Sequence, residues 1–305
     1  MFINVLTQVI ILFILIFVGV ILAKTKVLND NAVKSMTDFV LLLVTPCVII
    51  KSFIREFEPA LLKKLLISVA ATALAHIGFI ILSRLLLKTK DISQQKVLQF
   101  GVIFSNCGFM SIPLQQAVLG DEGVFFAASY IAIFNVFVWS YGVLLMSGDK
   151  KYMTPKKLII NPGIIGVSIG LLIFLLSIPV PKILAEPVSY LAALNTPVPM
   201  VIIGYHLAHS SILKGLKNIA CLWGIILRLF IFPLLALGVM YLCGIRGSML
   251  ISLAISCCAP VAANTTMFAS KYGGDTSLSV NMVSLSTLFS LISMPVVVTL
   301  AQYIA

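Results

Sequence analysis

Long stretches of the chain carry no charged side chain, and this feature limits the fold more than any other. The first apolar run extends from Val5 to Ala23, and the stretches from Val97 to Gly120 and from Gly247 to Ser270 contain no charged residue. In a bilayer every backbone N–H and C=O must be satisfied within the protein, so apolar runs of about 20 residues predict transmembrane helices. Charged residues make up 10% of the chain, too few for a water-facing surface.

The apolar runs and their short connections predict an all-α membrane protein with ten transmembrane helices. The first run has no basic residue before it and no cleavage pattern after it, so we expect a retained span and not a signal peptide. No room is left for a separate soluble domain. The predicted spans are 5–23, 33–54, 61–86, 97–118, 123–146, 159–177, 188–208, 218–243, 248–270 and 277–303.

Lys and Arg are distributed unequally between the two sets of connections. One set carries 14 of these residues and the other carries 6. Cytoplasmic loops are enriched in Lys and Arg, so we expect the first set in the cytoplasm and both termini outside the cell membrane. Topology therefore accounts for the net charge of +11, and without a groove-sized basic face we expect no nucleic-acid binding.

The two halves of the chain resemble each other. Thr45-Pro46 matches Thr196-Pro197 at an offset of 151, and Gly120-Asp121 matches Gly274-Asp275 at an offset of 154. A repeat unit of five spans must be inverted relative to its twin, which is the architecture of secondary transporters that bind substrate near the midplane. The predicted units are a first five-helix repeat at 1–148, a basic cytoplasmic loop at 149–158 and a second repeat at 159–305.

Spans four and nine each contain a proline, small residues and an asparagine at mid-membrane depth. Proline removes a backbone donor and clashes with the preceding turn. Broken backbone is tolerated at this depth only where it is buried in protein or lines a cavity. We therefore expect two interrupted helices that hold a ligand, and the alternative is a pair of kinked helices with small residues for close packing. The expected substrate-binding residues are Asn106, Cys107, Ser111, Pro113, Pro260, Asn264, Thr265 and Thr266.

The absence of charge from spans four and nine bears on the substrate. Helix N-termini carry about half a positive charge, so a neutral polar site built from them suits a carboxylate better than a cation, which would require Asp or Glu. The sequence therefore favours an anionic or neutral substrate.

Ionisable side chains within other spans are His76 in span three and Arg228 in span eight. A charge at the bilayer centre costs about 3 kcal/mol on insertion scales, so Arg228 requires a partner. Asp38, helix-end carbonyls and a substrate carboxylate are the alternatives. His76 is either a hydrogen-bonded structural residue or a proton carrier in a coupled cycle.

Several motifs are coincidental, and no enzyme is expected. Gly166-Val167-Ser168-Ile169-Gly170 matches a hydrolase elbow, but that motif requires a strand-turn-helix context. The six cysteines lie in apolar segments without zinc spacing. We expect neither cofactor nor metal.

The polar, proline-containing motifs of spans four and nine, together with several motifs elsewhere in the chain, resemble those of the auxin efflux carrier family. This family includes plant auxin exporters and bacterial malonate and malate carriers. The resemblance covers nearly the whole chain. Its motifs are Ser105-Asn106-Cys107-Gly108-Phe109 through Ile112-Pro113-Leu114, Asn161-Pro162-Gly163, Thr196-Pro197 with Gly204, and Ala259-Pro260 through Ala269-Ser270-Lys271-Tyr272-Gly273 to Met294-Pro295.

The resemblance implies that helices four and nine cross at mid-membrane and that a substrate carboxylate meets them near Asn106. It also implies a scaffold of spans one, two, six and seven and a transport domain of spans three to five and eight to ten. The long cytoplasmic loop of many plant exporters is replaced here by a short basic segment. Related sodium symporters hold sodium with acidic residues at the crossing, and this chain has none there.

The sequence therefore predicts a secondary transporter for small organic anions, including dicarboxylates such as malate or malonate. A transport-inactive membrane sensor for the same ligands is the alternative, although the chain supplies no output domain. A channel is a further rival, but no ring of charged side chains lines any span. The expected partners are the substrate and the lipid bilayer, and the sequence leaves a homodimer open.

The predicted orientation can be tested by cysteine accessibility. On a cysteine-free background, Met153→Cys should react with a membrane-impermeant maleimide only after the cells are permeabilised, because residue 153 lies on the basic side. Lys182→Cys, on the opposite side, should react in intact cells. Labelling of position 153 in intact cells would contradict this orientation.

Overall fold

The structure is a computed structural model that describes residues 2–153, 160–210 and 212–305. Residues 154–158 of the expected basic loop lie outside these ranges. In chain order the helices are α1 (Phe2–Lys24), α2 (Asp30–Phe39), α3 (Thr45–Phe53), α4 (Pro59–Leu86), α5 (Ile92–Ile103), α6 (Ile112–Phe137), α7 (Val143–Ser147), α8 (Pro162–Leu175), α9 (Lys182–Ala193), α10 (Pro197–Ala208), α11 (Ile212–Leu216), α12 (Ile219–Ile226), α13 (Phe232–Leu242), α14 (Gly247–Cys258), α15 (Asn264–Tyr272) and α16 (Thr276–Ile304).

Asn and Asp residues begin many of these helices. A side-chain oxygen at the cap position accepts a hydrogen bond from one of the first N–H groups, which have no intrahelical partner. The caps of this kind are Asn29 before α2, Asp91 before α5, Asn161 before α8, Asn218 before α12 and Asp275 before α16.

Turns of π-helix explain how several prolines fit inside long helices. Such turns at Val40–Val44, Cys107–Ser111 and Leu227–Ile231 each end two residues before a proline: Pro46, Pro113 and Pro233. A proline clashes with the carbonyl one turn earlier, and a wider π turn in that position relieves the clash. Pro113 is therefore accommodated within a continuous helix. The expected interruption of span four lies before this proline, where α5 ends at Ile103 and the π turn begins at Cys107.

Within the described ranges, seven helical segments are long and apolar enough to cross a membrane. One of these, Cys107–Ser147, is interrupted at Gly120, whose φ of 64° and ψ of −151° are not helical. This break coincides with the expected boundary between spans four and five. The apolar helices α8 and α14 are shorter. The protein is thus an all-α membrane protein with several spanning helices, and the number ten stays a prediction.

Two helix pairs pack closely through glycines. On α1 and α10, a Cβ added at Gly19 would overlap the carbonyl oxygen of Val201, and one added at Gly204 would overlap that of Ile16. On α8, a Cβ added at Gly170 would lie 2.9 Å from the Phe53 ring of α3. Small residues allow helix backbones to approach in this way within a membrane.

The apolar interior forms two clusters. One includes buried residues of α1 and α10 together with Phe109, Met110 and Cys258, which lie beside the chain breaks described below. The other gathers α4 to α7 with α12 to α14 and α16, and it extends to Phe53 of α3. The chain breaks therefore lie at the boundary between these two apolar clusters.

The α1–α10 contact predicts a large effect of one methyl group. Gly204→Ala should lower the unfolding free energy by about 1–3 kcal/mol, since the added carbon meets rigid backbone. Gly238→Ala on α13 is the matched control, because a Cβ there meets nothing within 4 Å. Thermal unfolding of both purified variants measures the difference, and equal melting temperatures would exclude a close contact.

Candidate functional site

The chain is unwound in the middle of predicted spans four and nine. Helix α5 ends at Ile103, and Phe104 is extended, with φ −101° and ψ 116°. Helix α14 ends at Cys258, followed by Ala259 with φ −59° and ψ 147°, and α15 begins only at Asn264. Each predicted span therefore consists of two half-helices joined by a short extended segment.

The two extended segments pair with each other. Ser105 and Val261 form an antiparallel bridge, in which Asn106 N donates to Pro260 O at 2.7 Å and Ala262 N donates to Phe104 O at 3.0 Å. The N–H of Val261 donates to Ser286 Oγ at 3.0 Å. Backbone groups that leave a helix inside a membrane need such partners. The two halves of the chain are thus joined at a buried point, where Ser105 and Val261 are both fully buried.

Arg228 connects the ends of the two preceding half-helices. Its side chain is fully buried. Nη1 donates to the carbonyl oxygens of Val102 and Ile103, at 3.0 and 3.2 Å, at the end of α5. Nε donates to Ala259 O at 3.1 Å and Nη2 donates to Cys257 O, at the end of α14. Of the partners considered for Arg228 in the sequence analysis, the helix-end carbonyls are the ones to which it donates hydrogen bonds.

Asp38 does not pair with Arg228. Asp38 lies in α2 and is exposed. The ion pairs among the described residues are Lys51–Asp121 at 3.6 Å and Lys151–Asp149 at 2.9 Å. The alternative of an Arg228–Asp38 pair is therefore wrong, because an exposed carboxylate is already solvated whereas the buried carbonyls at two helix ends require a donor.

The half-helices that follow the breaks present polar groups. Asn106 caps the π turn, since its Oδ1 accepts from Phe109 N at 3.2 Å, and its Nδ2 has no acceptor among the described residues. Next to it, Cys107 is buried. A Cβ added at half-buried Gly108 would meet nothing within 4 Å, so space is open beside it.

At the start of α15, Asn264 Oδ1 and Thr265 Oγ1 are buried without a hydrogen-bond partner in the described chain. Thr266 is half-buried. Buried polar atoms nearly always have a partner, and both of these atoms are free to form a hydrogen bond with a ligand or water. The unwound segments thus bring Asn106 and Pro260 into direct contact, with Asn264 four residues beyond.

Ser111 belongs to a polar network that the sequence reasoning missed. Gln115 Nε2 donates to Ser111 Oγ at 2.6 Å and to Ser256 Oγ at 2.9 Å. Ser252 donates to Gln115 Oε1 at 2.6 Å. All four side chains are fully buried, and together they tie α6 to α14. An uncharged polar residue such as Gln115 inside a span was the available signal.

His76 lies among aromatic rings on α4. Its Nδ1 bonds to Thr72 O at 2.9 Å, and its buried Nε2 has no partner within the described ranges. The ring stacks on Phe137 at 5.2 Å. Phe79 lies near both His76 and Arg228, with its ring centroid 6.3 Å from that of His76 and 5.9 Å from Arg228 Cζ. The bond to Thr72 fits the structural role, and proton transfer by His76 stays a hypothesis.

Asn195 is another polar residue that was not singled out as a site residue. It is 3% exposed, and neither of its amide atoms has a hydrogen-bond partner among the described residues. It directly precedes the Thr196-Pro197 pair at the start of α10. Its position in the repeat match was the only signal in the sequence.

Two comparisons place these features among known proteins. The model of a family described as "Membrane transport protein" matches residues 4–156 and 151–298. The chain is also similar to an uncharacterized transporter of Methanothermobacter thermautotrophicus (strain Delta H). The two are 23% identical over 288 residues, which cover 92% of this chain and 93% of the relative.

The geometry predicts that Arg228 cannot be replaced. Arg228→Gln should lower the unfolding free energy by about 3–5 kcal/mol, the usual effect of removing one partner from a buried charged contact. Arg228→Lys should be nearly as harmful, because an ammonium group lacks the planar fork that reaches both helix ends. Thermal unfolding of the purified variants tests both expectations.

Arg246→Gln is the matched control. Arg246 also donates to backbone carbonyls, those of Tyr241 and Ile245, but it is exposed, so its loss should change stability by no more than about 0.5 kcal/mol. An Arg228→Gln protein that melts and transports like the wild type would contradict the bridging role.

Proposed function

The chain belongs to the membrane transport protein family, the auxin efflux carrier-like family that its motifs resemble, and from this premise we propose that it is a secondary transporter of small organic anions. The proposed substrates are carboxylates, including dicarboxylates such as malate or malonate. The proposed location is the cell membrane, with both termini outside and the basic loop in the cytoplasm.

The electrostatics of the paired half-helices carry the proposal. The C-termini of α5 and α14 each present about half a negative charge, and the single positive charge of Arg228 balances the two. The N-termini that follow the breaks, at Cys107 and at Asn264, present about half a positive charge each, and no acidic residue of either span balances them. Together the two N-termini present about one unit of positive charge, and such a site favours a carboxylate.

Specific donors would orient that carboxylate. Asn106 Nδ2 and the N–H groups of Cys107 and Gly108 would donate to it, and the open space beside Gly108 would give it room. Thr265 Oγ1 can donate from the other half-helix. Asn264 Oδ1 is an acceptor, and a substrate hydroxyl would satisfy it. Cys107 and Thr266 would line the same position, with Pro113 and Ser111 behind it.

Transport would proceed by alternating access between two inverted five-helix repeats, 1–148 and 159–305, separated by the loop at 149–158. Related close contacts support the repeat: Gly19 and Gly170 are 151 residues apart, and so are their partners Gly204 and Phe53. Spans one, two, six and seven would form the scaffold. The crossing helices four and nine would move with the other spans as the transport domain.

The main alternative is a transport-inactive sensor for the same ligands, and a channel is the other. Proteoliposomes that contain the purified protein discriminate among them. Uptake of labelled dicarboxylate that saturates with concentration and shows counterflow supports a carrier. Binding without uptake would favour the sensor, and uptake that does not saturate would favour a channel.

The substrate site is tested by replacing a neutral amide side chain with a negatively charged carboxylate. Asn106→Asp should abolish anion binding at neutral pH, because it places a negative charge against the substrate carboxylate. Its fold should survive, since Asp caps a helix as well as Asn does. Asn264→Asp should weaken binding at least tenfold, because it exchanges the amide donor Nδ2 for a negatively charged oxygen, and a hydrogen bond to a charged group contributes about 1.5–3 kcal/mol. Calorimetric titration of the folded variants with malate and malonate measures both effects.

Asn218→Asp is the matched control. It adds the same charge at another helix cap, where Asn218 Oδ1 accepts from Cys221 N, and it should leave anion binding unchanged. Wild-type affinity in both the Asn106 and Asn264 variants would place the substrate elsewhere.

A further inference from the structure

A polar pocket lies beside α5, toward the end of that helix opposite the break at Phe104. It is an open pocket of about 740 Å³ where the ends of α4 and α7 meet α5. It lies on the side of the protein whose connections carry 14 Lys and Arg residues, against 6 on the other side. Its polar lining is formed by Arg84, Lys88, Gln95, Gln99 and Tyr141.

The lining of this pocket is positively charged. Arg84 Nε donates to Tyr141 Oη at 3.1 Å, and the guanidinium carbon lies 5.3 Å from the Tyr141 ring centroid. This contact holds Arg84 in place and leaves its two terminal nitrogens available. Lys88 is exposed beside it. Lys96 lies close by, and its Nζ donates to Met146 O at 3.1 Å.

No carboxylate lines the pocket in the described part of the chain. The nearest acids along the sequence are already engaged. Asp91 Oδ1 accepts from Ser93 N at 2.8 Å at the start of α5, and Asp149 pairs with Lys151 at 2.9 Å. Arg84 and Lys88 thus have no ion-pair partner among the described residues, and the pocket suits a group with at least one negative charge.

An apolar strip leads along α4 to this pocket. Ile77, Ile81 and Leu85 are spaced by four residues and so lie on one face of the helix. Their side chains are 45%, 53% and 62% exposed, which in a membrane protein means contact with lipid. Arg84 and Lys88 follow at the end of that strip. An aliphatic surface that ends in a cationic pocket matches the shape of a phospholipid.

We propose that this pocket binds the phosphate headgroup of an anionic phospholipid. The phosphate would accept hydrogen bonds from Arg84 and Lys88, and an acyl chain would lie against Ile77, Ile81 and Leu85. Basic pockets between transmembrane helices recognise anionic headgroups in this way. The bound lipid would link the end of α4 to the end of α7.

Thermal unfolding with added lipid tests the proposal. Wild-type protein in a neutral detergent is titrated with phosphatidylglycerol, with phosphatidylcholine and with inorganic phosphate. We expect phosphatidylglycerol to raise the melting temperature more than phosphatidylcholine does. In Arg84→Gln/Lys88→Gln the apparent affinity for phosphatidylglycerol should fall roughly 30-fold, as expected for two lost charges near the membrane surface.

Lys63→Gln/Lys64→Gln is the matched control, because it removes two exposed charges from the other end of the same helix. Lys88→Gln alone removes no hydrogen bond of the described chain, and it should lower the apparent affinity for phosphatidylglycerol about fivefold. This single variant keeps the test available if the double variant fails to fold. Equal losses in the control and pocket variants would overturn the proposal, since they would report net charge alone. Equal stabilisation by inorganic phosphate would assign the pocket to a soluble anion and overturn the lipid.

Discussion

The hydrogen bonds of Arg228 to two helix ends are the interaction on which the rest of this structure depends. Unwinding a helix inside a membrane exposes carbonyl groups that lipid cannot solvate. Here two helices unwind at the same place, and a single guanidinium donates to carbonyls of both α5 and α14. The short antiparallel pairing of the two segments satisfies the N–H groups of Asn106 and Ala262. Either unwound segment alone would lack these partners.

Of the four helix ends at the breaks, the two negative ones have a counter-charge and the two positive ones do not. Arg228 is a permanent cation, so the negative ends of α5 and α14 already have a counter-charge of protein origin. In other transporters with broken helices the C-terminal ends and unwound carbonyls coordinate sodium ions, and a guanidinium that uses the same carbonyls leaves less need for such an ion. The positive ends at Cys107 and Asn264 have no equivalent partner in the part of the chain that the structure describes, so the uneven charge distribution at the breaks comes from the single side chain of Arg228.

The sequence predicted the elements of this site better than their geometry. Uncharged runs with an asparagine and a small-residue stretch located the breaks, and the cost of a buried charge required a partner for Arg228. The π turn before Pro113 could not be predicted, because the same residue can kink a helix or be accommodated by a wider turn. Gln115 and Asn195 were missed because single polar residues in spans are common, and only contacts across the fold distinguish them. The Gly204 packing depends on the approach of α1, which a match to Thr-Pro alone does not define.

The distribution of polar contacts limits where such a protein can move. Arg228 and the Gln115 network join α5 and α6 firmly to α14, so these helices should move as one body. The cluster in which Phe109 and Cys258 meet α1 and α10 is apolar. Sliding there breaks no hydrogen bond of the unwound segments and exchanges one apolar contact for another. Polar links from this body to α8 and α3 are peripheral: Asn161 Nδ2 donates to Asn135 Oδ1 at 3.1 Å, and Lys51 pairs with partly exposed Asp121. Since a partly exposed ion pair contributes at most about 1 kcal/mol, the apolar boundary beside the breaks is the surface along which the proposed alternating-access motion would meet the fewest polar contacts.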